Sequence, residues 1–329
     1  VGAYALDANS SGAANVAIGR SAMGANTTAS NNTAIGYFAL ATNTTGGTNT
    51  ACGFQALEDN TTASNNTAVG YQALNINTTG ANNTAVGKGA LLANTTAAGG
   101  VAVGYQALVA NTTGANNTAV GDLALTANTT GTDNVGVGFQ AGTAVTTGLN
   151  NTFVGDSAGM TATTSAQNTA VGADALRLTS TGANNTAVGK GALSVNSTAS
   201  DGTAMGQGAL LACTTGSGNS ALGKEAGKAI TTGANNVCLG HDAGDALTDA
   251  DFNTVLGYNA LSTETLGSRS VAIGFQALLD QNFTTATDNY NVAVGYNAGT
   301  NVTTGIKNTI IGGLAGDSLT DADFNVALG

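Results

Sequence analysis

The string NTAVG occurs at residues 66–70 and again at 83–87, and the 17-residue interval between the two copies governs the whole chain. Aligned on its last residue, the motif places a Gly at 2, 19, 36, 53 and onward in steps of 17 to 274, then at 295, 312 and 329. These 20 landmark glycines bound 19 intervals; the one irregular step, of 21 residues, puts a four-residue insertion within 278–291. A fixed period of this size marks a solenoid, in which each repeat packs only on its neighbours. No other sequence type interrupts it, so residues 1–329 read as a single array of about 19 coils. Val1 and Gly329 both fall in mid-pattern, so the array reads as a segment of a longer chain.

Each repeat carries a period of two around its landmark. The preceding residue is always apolar (Val69, Val86, Met205, Leu239, Ile273), and the residue at landmark minus three is Thr, Val or Ser. Such residues favour strands, and alternate strand residues share a face. We assign this pair to the coil interior, with Leu74 and its equivalents. The residue between them, at minus two, then points outward. It is Ala in most coils, with Gly136, Phe153, Cys238, Val255 and Ile310 as variants, and it is never polar. A strand that is apolar on both faces is covered on both. The expected cover is a second copy of the chain. Ala68, Ala85, Ala102, Ala119, Phe153 and Ile310 are assigned to that inter-chain face. Three side-by-side coils close it as a homotrimer; the pattern alone also admits a dimer.

The residue three places after the landmark is Ala in all 19 copies, so that site has no room for a larger side chain. The next position is Leu or Met in 13 copies and Gly in six: 142, 159, 227, 244, 299 and 316. In those six, the residue three further on is Val145, Ala162, Ile230, Leu247, Val302 or Leu319, where other copies mostly have Asn. One core volume is thus filled from either of two points, Ala162 being the weakest match. Asn stands at minus four in 16 of 19 copies, and stacking should align these amides in a ladder. Thr78-Thr79-Gly80 supplies turn chemistry. The fold class expected is all-β: a parallel β-solenoid of 17-residue coils. Nineteen coils at a strand spacing of about 4.8 Å extend roughly 90 Å. The absence of proline agrees, because proline cannot donate to a β ladder.

The strings SVAIGFQAL (270–278) and NTAVGYQAL (66–74) resemble the head repeat of YadA-like trimeric autotransporter adhesins. With its NTTG turns, the repeat is also similar to phage and viral tail-fibre shafts. The resemblance implies a left-handed parallel β-roll assembled as a trimer. The coil here is longer than the adhesin unit.

Charge narrows the function classes. A net charge of −11 opposes nucleic-acid binding, which needs a basic footprint. No apolar run is long enough for a transmembrane helix. Cys52, Cys213 and Cys238 have no metal-type spacing and read as small apolar residues. GNSALGKE (218–225) lacks the hydroxyl residue of a phosphate loop and reads as one more repeat. His241, the only histidine, reads as a surface residue, and no catalytic cluster or cofactor site is expected. The Asn-Thr-Thr strings match the N-glycosylation pattern but follow from the turn sequence.

Three features remain as candidate sites. Tyr37, Phe54, Tyr71, Tyr105, Phe139, Tyr258, Phe275 and Tyr296 follow landmark glycines and form a stripe that could stack on sugars. Asp249 with Asp251, and Asp321 with Asp323, lie in near-identical acidic turns that could hold Ca²⁺. The insertion within 278–291 is a loop on a rigid scaffold. The expected function is that of a non-enzymatic fibre shaft at the virion surface or outside the cell, holding a host-binding tip at a distance. A bacterial surface adhesin or extracellular filament is the alternative, and an ice- or glycan-binding solenoid the remote one. The expected partner is the chain itself, with a host glycan or receptor as a further candidate.

Overall fold

The structure, a computed structural model, describes residues 2–329. They form two compact units, one ending at Ser165 and one spanning Ala166–Gly329. Both are parallel β-solenoids of 17-residue coils, and neither contains an α-helix.

The first unit holds β1 (Val16–Ile18), β2 (Thr33–Ile35), β3 (Thr50–Cys52), β4 (Thr67–Val69), β5 (Thr84–Val86), β6 (Val101–Val103), β7 (Thr118–Val120), β8 (Val135–Val137) and β9 (Thr152–Val154). Each pairs in parallel with the next, in register, so that Thr67, Ala68 and Val69 lie beside Thr84, Ala85 and Val86. The second unit repeats this through β10 (Thr169–Val171), β11 (Thr186–Val188), β12 (Thr203–Met205), β13 (Ser220–Leu222), β14 (Val237–Leu239), β15 (Thr254–Leu256), β17 (Val271–Ile273), β19 (Val292–Val294), β20 (Thr309–Ile311) and β21 (Val326–Leu328). Two short strands, β16 (Gly267–Ser268) and β18 (Thr287–Asp288), pair separately beside the insertion.

Outside its three-residue strand, and apart from β16 and β18, each coil is turn, bend or irregular, yet these segments also bond from coil to coil. The Gln72 N–H donates to Phe54 O at 2.9 Å, and the Leu74 and Thr78 N–H groups donate to Ala90 O and Thr95 O at 2.9 Å. With amides committed all round the coil, proline has few places to stand. The landmark glycine is fixed by close approach. Gly70 has a φ of 137°, and a Cβ there would lie 2.5 Å from the Gly87 carbonyl oxygen of the next coil. No side chain fits that gap, which is why the landmark recurs.

The strand faces are the reverse of the sequence assignment. Ala68, Ala85, Ala102, Ala119, Phe153 and Ile310 are completely buried within the single chain, so they form its core and not an inter-chain face. The residues on either side, Thr67 and Val69, point outward, and Val69 is 38% exposed. The physical reason is width. Ala73 and Leu74 cross from the opposite wall and are also fully buried, leaving space for little more than a methyl group at position 68.

The exceptions confirm the crowding. Phe153, Cys238 and Ile310 all stand opposite glycines in the Leu position. A Cβ on Gly159 would lie 2.5 Å from the Phe153 ring, one on Gly244 would lie 3.1 Å from Cys238 Sγ, and one on Gly299 would lie 2.8 Å from Ile310 Cδ1. The switch expected between Leu and an aliphatic group three residues later is present: Val145, Ala162, Ile230, Leu247 and Val302 are buried. Ala162, the weak match, is small because the Phe153 ring already occupies the space beside Gly159.

Asparagine ladders are present at two repeat positions. At minus four the expected amide-to-amide bond forms in some coils, where Asn151, Asn185, Asn236 and Asn325 donate Nδ2 to the Oδ1 of the Asn one coil earlier at 3.0–3.1 Å. Bonds from side chain to backbone accompany them: the Asn66 N–H donates to Asn49 Oδ1 at 2.9 Å, and Asn66 Nδ2 donates to Gly80 O at 3.0 Å. The regular amide-to-amide column stands seven residues after the landmark. Asn26, Asn43, Asn60, Asn77, Asn94, Asn111 and Asn128 each donate Nδ2 to the Oδ1 of the preceding Asn, at 2.8–3.1 Å. It stops where Val145 takes the next place, leaving buried Asn128 Oδ1 without a donor.

At the insertion the same slot holds a carboxylate. Glu264 is fully buried, and its Oε1 accepts the N–H groups of Thr265, Leu266, Gly267 and Phe283 at 2.7–3.1 Å. Its Oε2 accepts Gln281 Nε2 at 2.9 Å. Gln281 in turn accepts Asn291 Nδ2 at 2.8 Å, joining both sides of the inserted loop.

Candidate functional site

The outward row before each landmark is the most regular surface feature. Ile35, Val69, Val86, Val103 and Val120 in the first unit are 36–39% exposed, and Met205, Leu222, Leu256 and Ile311 in the second are 41–52% exposed. This position is apolar in every coil. Beside it, two residues earlier, runs a row of half-buried Thr and Val, as at Thr67, Thr84 and Val101. Repetition at the strand spacing turns single exposed side chains into a continuous apolar ribbon on each unit, and contiguous apolar surface marks an interaction site.

The aromatic stripe borders this ribbon and is organised as columns. Tyr37, Phe54 and Tyr71 stack with centroids 5.2 and 5.1 Å apart and planes within 6°. Arg20 closes one end, 5.8 Å from the Tyr37 centroid, and Lys88 sits between Tyr71 and Tyr105 at 5.9 and 5.7 Å. In the second unit, Tyr258, Phe275 and Tyr296 form the same kind of column, extended by His241 at 5.5 Å from Tyr258. Stacked rings present edges to solvent. The faces that a sugar would use are taken by neighbours at Phe54, Tyr71, Tyr258 and Phe275, so these columns work as side-chain zippers. Phe139 stands alone, 49% exposed. The sequence reading missed a further column: Arg269 lies 4.9 Å from the Phe252 centroid and 5.9 Å from that of Tyr290, and Lys307 lies 5.0 Å from that of Phe324. Its signal was aromatic and cationic residues alternating at one repeat position.

Three of the four acidic-turn carboxylates bind the preceding coil. Asp249 Oδ1 accepts the hydroxyls of Thr231 and Thr232 at 2.7 and 2.6 Å, which hold its carboxyl below the ordinary value, the Thr232 bond contributing most. Asp251 Oδ1 accepts the Ala234 N–H at 2.7 Å, and Asp323 Oδ1 the Ile306 N–H at 2.8 Å. Asp321 Oδ1 accepts the neighbouring Thr320 hydroxyl at 3.2 Å. Among the described residues no three His, Cys, Asp or Glu side chains come together as a metal-ligand set. Gly218–Glu225 folds as an ordinary coil through β13 and leads into no helix, so it is not a phosphate loop. Among the described residues no helix is long and apolar enough to cross a membrane.

The cysteines divide by burial. Burial pushes the Cys238 thiol up to about 12 and the Cys213 thiol up to about 11, whereas Cys52 is partly exposed. Since the thiolate is the reactive form, native protein at pH 8 is expected to react with a thiol reagent at Cys52 alone. Mass spectrometry of alkylated peptides checks this; labelling of Cys213 or Cys238 before unfolding would contradict the burial.

No protein-family model matches the chain, and a search of curated proteins finds no match. The functional reading therefore rests on the surface just described.

Proposed function

We propose that this chain is a non-catalytic structural segment of a fibre, in which identical solenoids assemble side by side, three to a bundle, along their outward apolar rows. A β-solenoid fits a structural fibre: its backbone is hydrogen-bonded from coil to coil, and its length scales with the number of repeats. The observation that carries the reading is the row Ile35, Val69, Val86, Val103 and Val120, apolar in every coil and exposed in the single chain. Because every coil of the first unit is 17 residues long, two copies can match along this row once one coil is aligned. The YadA-like resemblance points to a virion or extracellular setting. We favour a phage or viral tail-fibre shaft carrying a host-binding tip, with a bacterial adhesin or extracellular filament as the alternative.

Sedimentation equilibrium tests the assembly. The expected mass is three times that of the chain. The triple variant Val69→Lys, Val86→Lys and Val103→Lys is expected to sediment as a monomer with an unchanged far-ultraviolet circular dichroism spectrum. A native protein that is monomeric at micromolar concentration overturns the proposal. One observation favours a second reading in that event: the Thr and Val rows form an open, regular face on each unit, as ice binding requires. Thermal hysteresis by the monomer, lost on Thr67→Lys and Thr84→Lys, would then support it.

A further inference from the structure

The second unit carries a notch that breaks the regularity of its surface. The position two residues after the landmark holds Asp174, Gly191, Gly208 and Glu225 in four consecutive coils, and 191 and 208 are the only adjacent pair of glycines at that position. Two missing side chains open a cavity of about 300 Å³, lined by these four residues with Arg177, Lys190, Ser194, Gln207, Leu211 and Lys228. That volume is at the lower end of small-molecule sites, about the size of one sugar ring.

The chemistry of the lining is specific. Each end is an acid–base pair: Arg177 Nε is 3.6 Å from Asp174 Oδ1, and Lys228 Nζ is 2.8 Å from Glu225 Oε2. Lys190, at the rim, makes no ion pair among the described residues and so keeps a free positive charge. The chain has only eight Lys and Arg residues against 19 acids, yet four of the eight (Arg177, Lys190, Lys224 and Lys228) fall between 177 and 228. An otherwise acidic molecule thus sets three of its eight Lys and Arg residues, Arg177, Lys190 and Lys228, around a single cavity. Leu211 is the one large aliphatic side chain of the lining, and a Cβ on Gly191 would lie 3.5 Å from its Cδ1. The Gln207 amide and the two end carboxylates offer acceptors for hydroxyl groups.

We propose that this notch binds a carboxylate-bearing sugar residue, the ring lying on Gly191, Gly208 and Leu211 with its carboxylate facing Lys190. Its ten lining residues all belong to the second unit of one chain.

Saturation-transfer NMR with D-galacturonate, D-glucuronate and N-acetylneuraminate, using D-galactose as the neutral control, tests the assignment. At least one acid is expected to bind, and galactose at least fivefold more weakly. Lys190→Gln should weaken acid binding by fivefold or more. The double variant Gly191→Gln and Gly208→Gln should abolish it by filling the notch. That variant is expected to fold, because Gln72, Gln106 and Gln140 hold the same repeat position with φ of 52–55°. Binding that survives the filled notch, equal binding of galactose, or no binding of any of the three acids overturns the proposal.

Discussion

Replacing Phe153 with Ala is expected to destabilise the first unit by about 3–5 kcal/mol, the usual range for deleting a buried aromatic ring. Phe153 is fully buried and is the largest fully buried side chain among the described residues. Its ring fills space that Leu74 or Leu108 fills in other coils, and the coil that follows has only Gly159 and Ala162 there. The cavity therefore has no nearby side chain able to close it. Gly159→Leu alone is also expected to destabilise, because the new Cβ would lie 2.5 Å from ring carbons of Phe153. Combined, the two changes should recover more than half of the loss, since Leu at this position is the arrangement of 12 other coils. Long repeat arrays need not unfold in one step. The suitable measurement is therefore local: amide exchange across residues 135–165, with the double-mutant coupling as the readout. Additive losses would mean that the two side chains do not share one volume.

Glu264→Ala is expected to cost about 3–5 kcal/mol, because hydrogen bonds to a charged group and buried donors left unsatisfied each carry about 1–3 kcal/mol. Ala would leave the buried N–H groups of Gly267 and Phe283 and the Gln281 amide without their acceptor. Among the described residues no cation pairs with Glu264; five N–H donors stabilise the carboxylate instead. Glu264→Gln keeps the shape and one acceptor oxygen but turns an amide donor toward Gln281, so about a third of that loss is expected. Urea unfolding followed near residues 264–291, by exchange or limited proteolysis, reads both variants. Equal stability of Glu264→Ala and the native protein would show that the inserted loop is held by something else.

Much of this architecture was legible in the sequence. The spacing of the glycines gave the coil, its length and the place of the insertion, because a parallel stack demands the same number of residues per turn and a gap in which only glycine fits. The exchange between Leu74-type and Val145-type filling was legible too, because core volume is conserved from coil to coil. The aromatic rows were visible as rows. Their role was not, since only coordinates show that rings at 5.1–5.5 Å cover one another's faces.

What the one-dimensional pattern left open was the direction of the strand. Alternation says that Ala68 and Val69 face opposite ways but is symmetric between inside and outside. The clue was present in the variants: Phe153, Cys238, Val255 and Ile310 each follow a Gly in the Leu position of their own coil, as neighbours sharing one volume must. The sequence alone determined a parallel solenoid of 17-residue coils, because period, landmark glycine and missing proline all express backbone stacking. The tertiary structure decided which side of the strand is core, because that depends on the width left between opposing walls. By turning the Val row outward, it also placed the candidate contact surface on the opposite face from the one the pattern suggested.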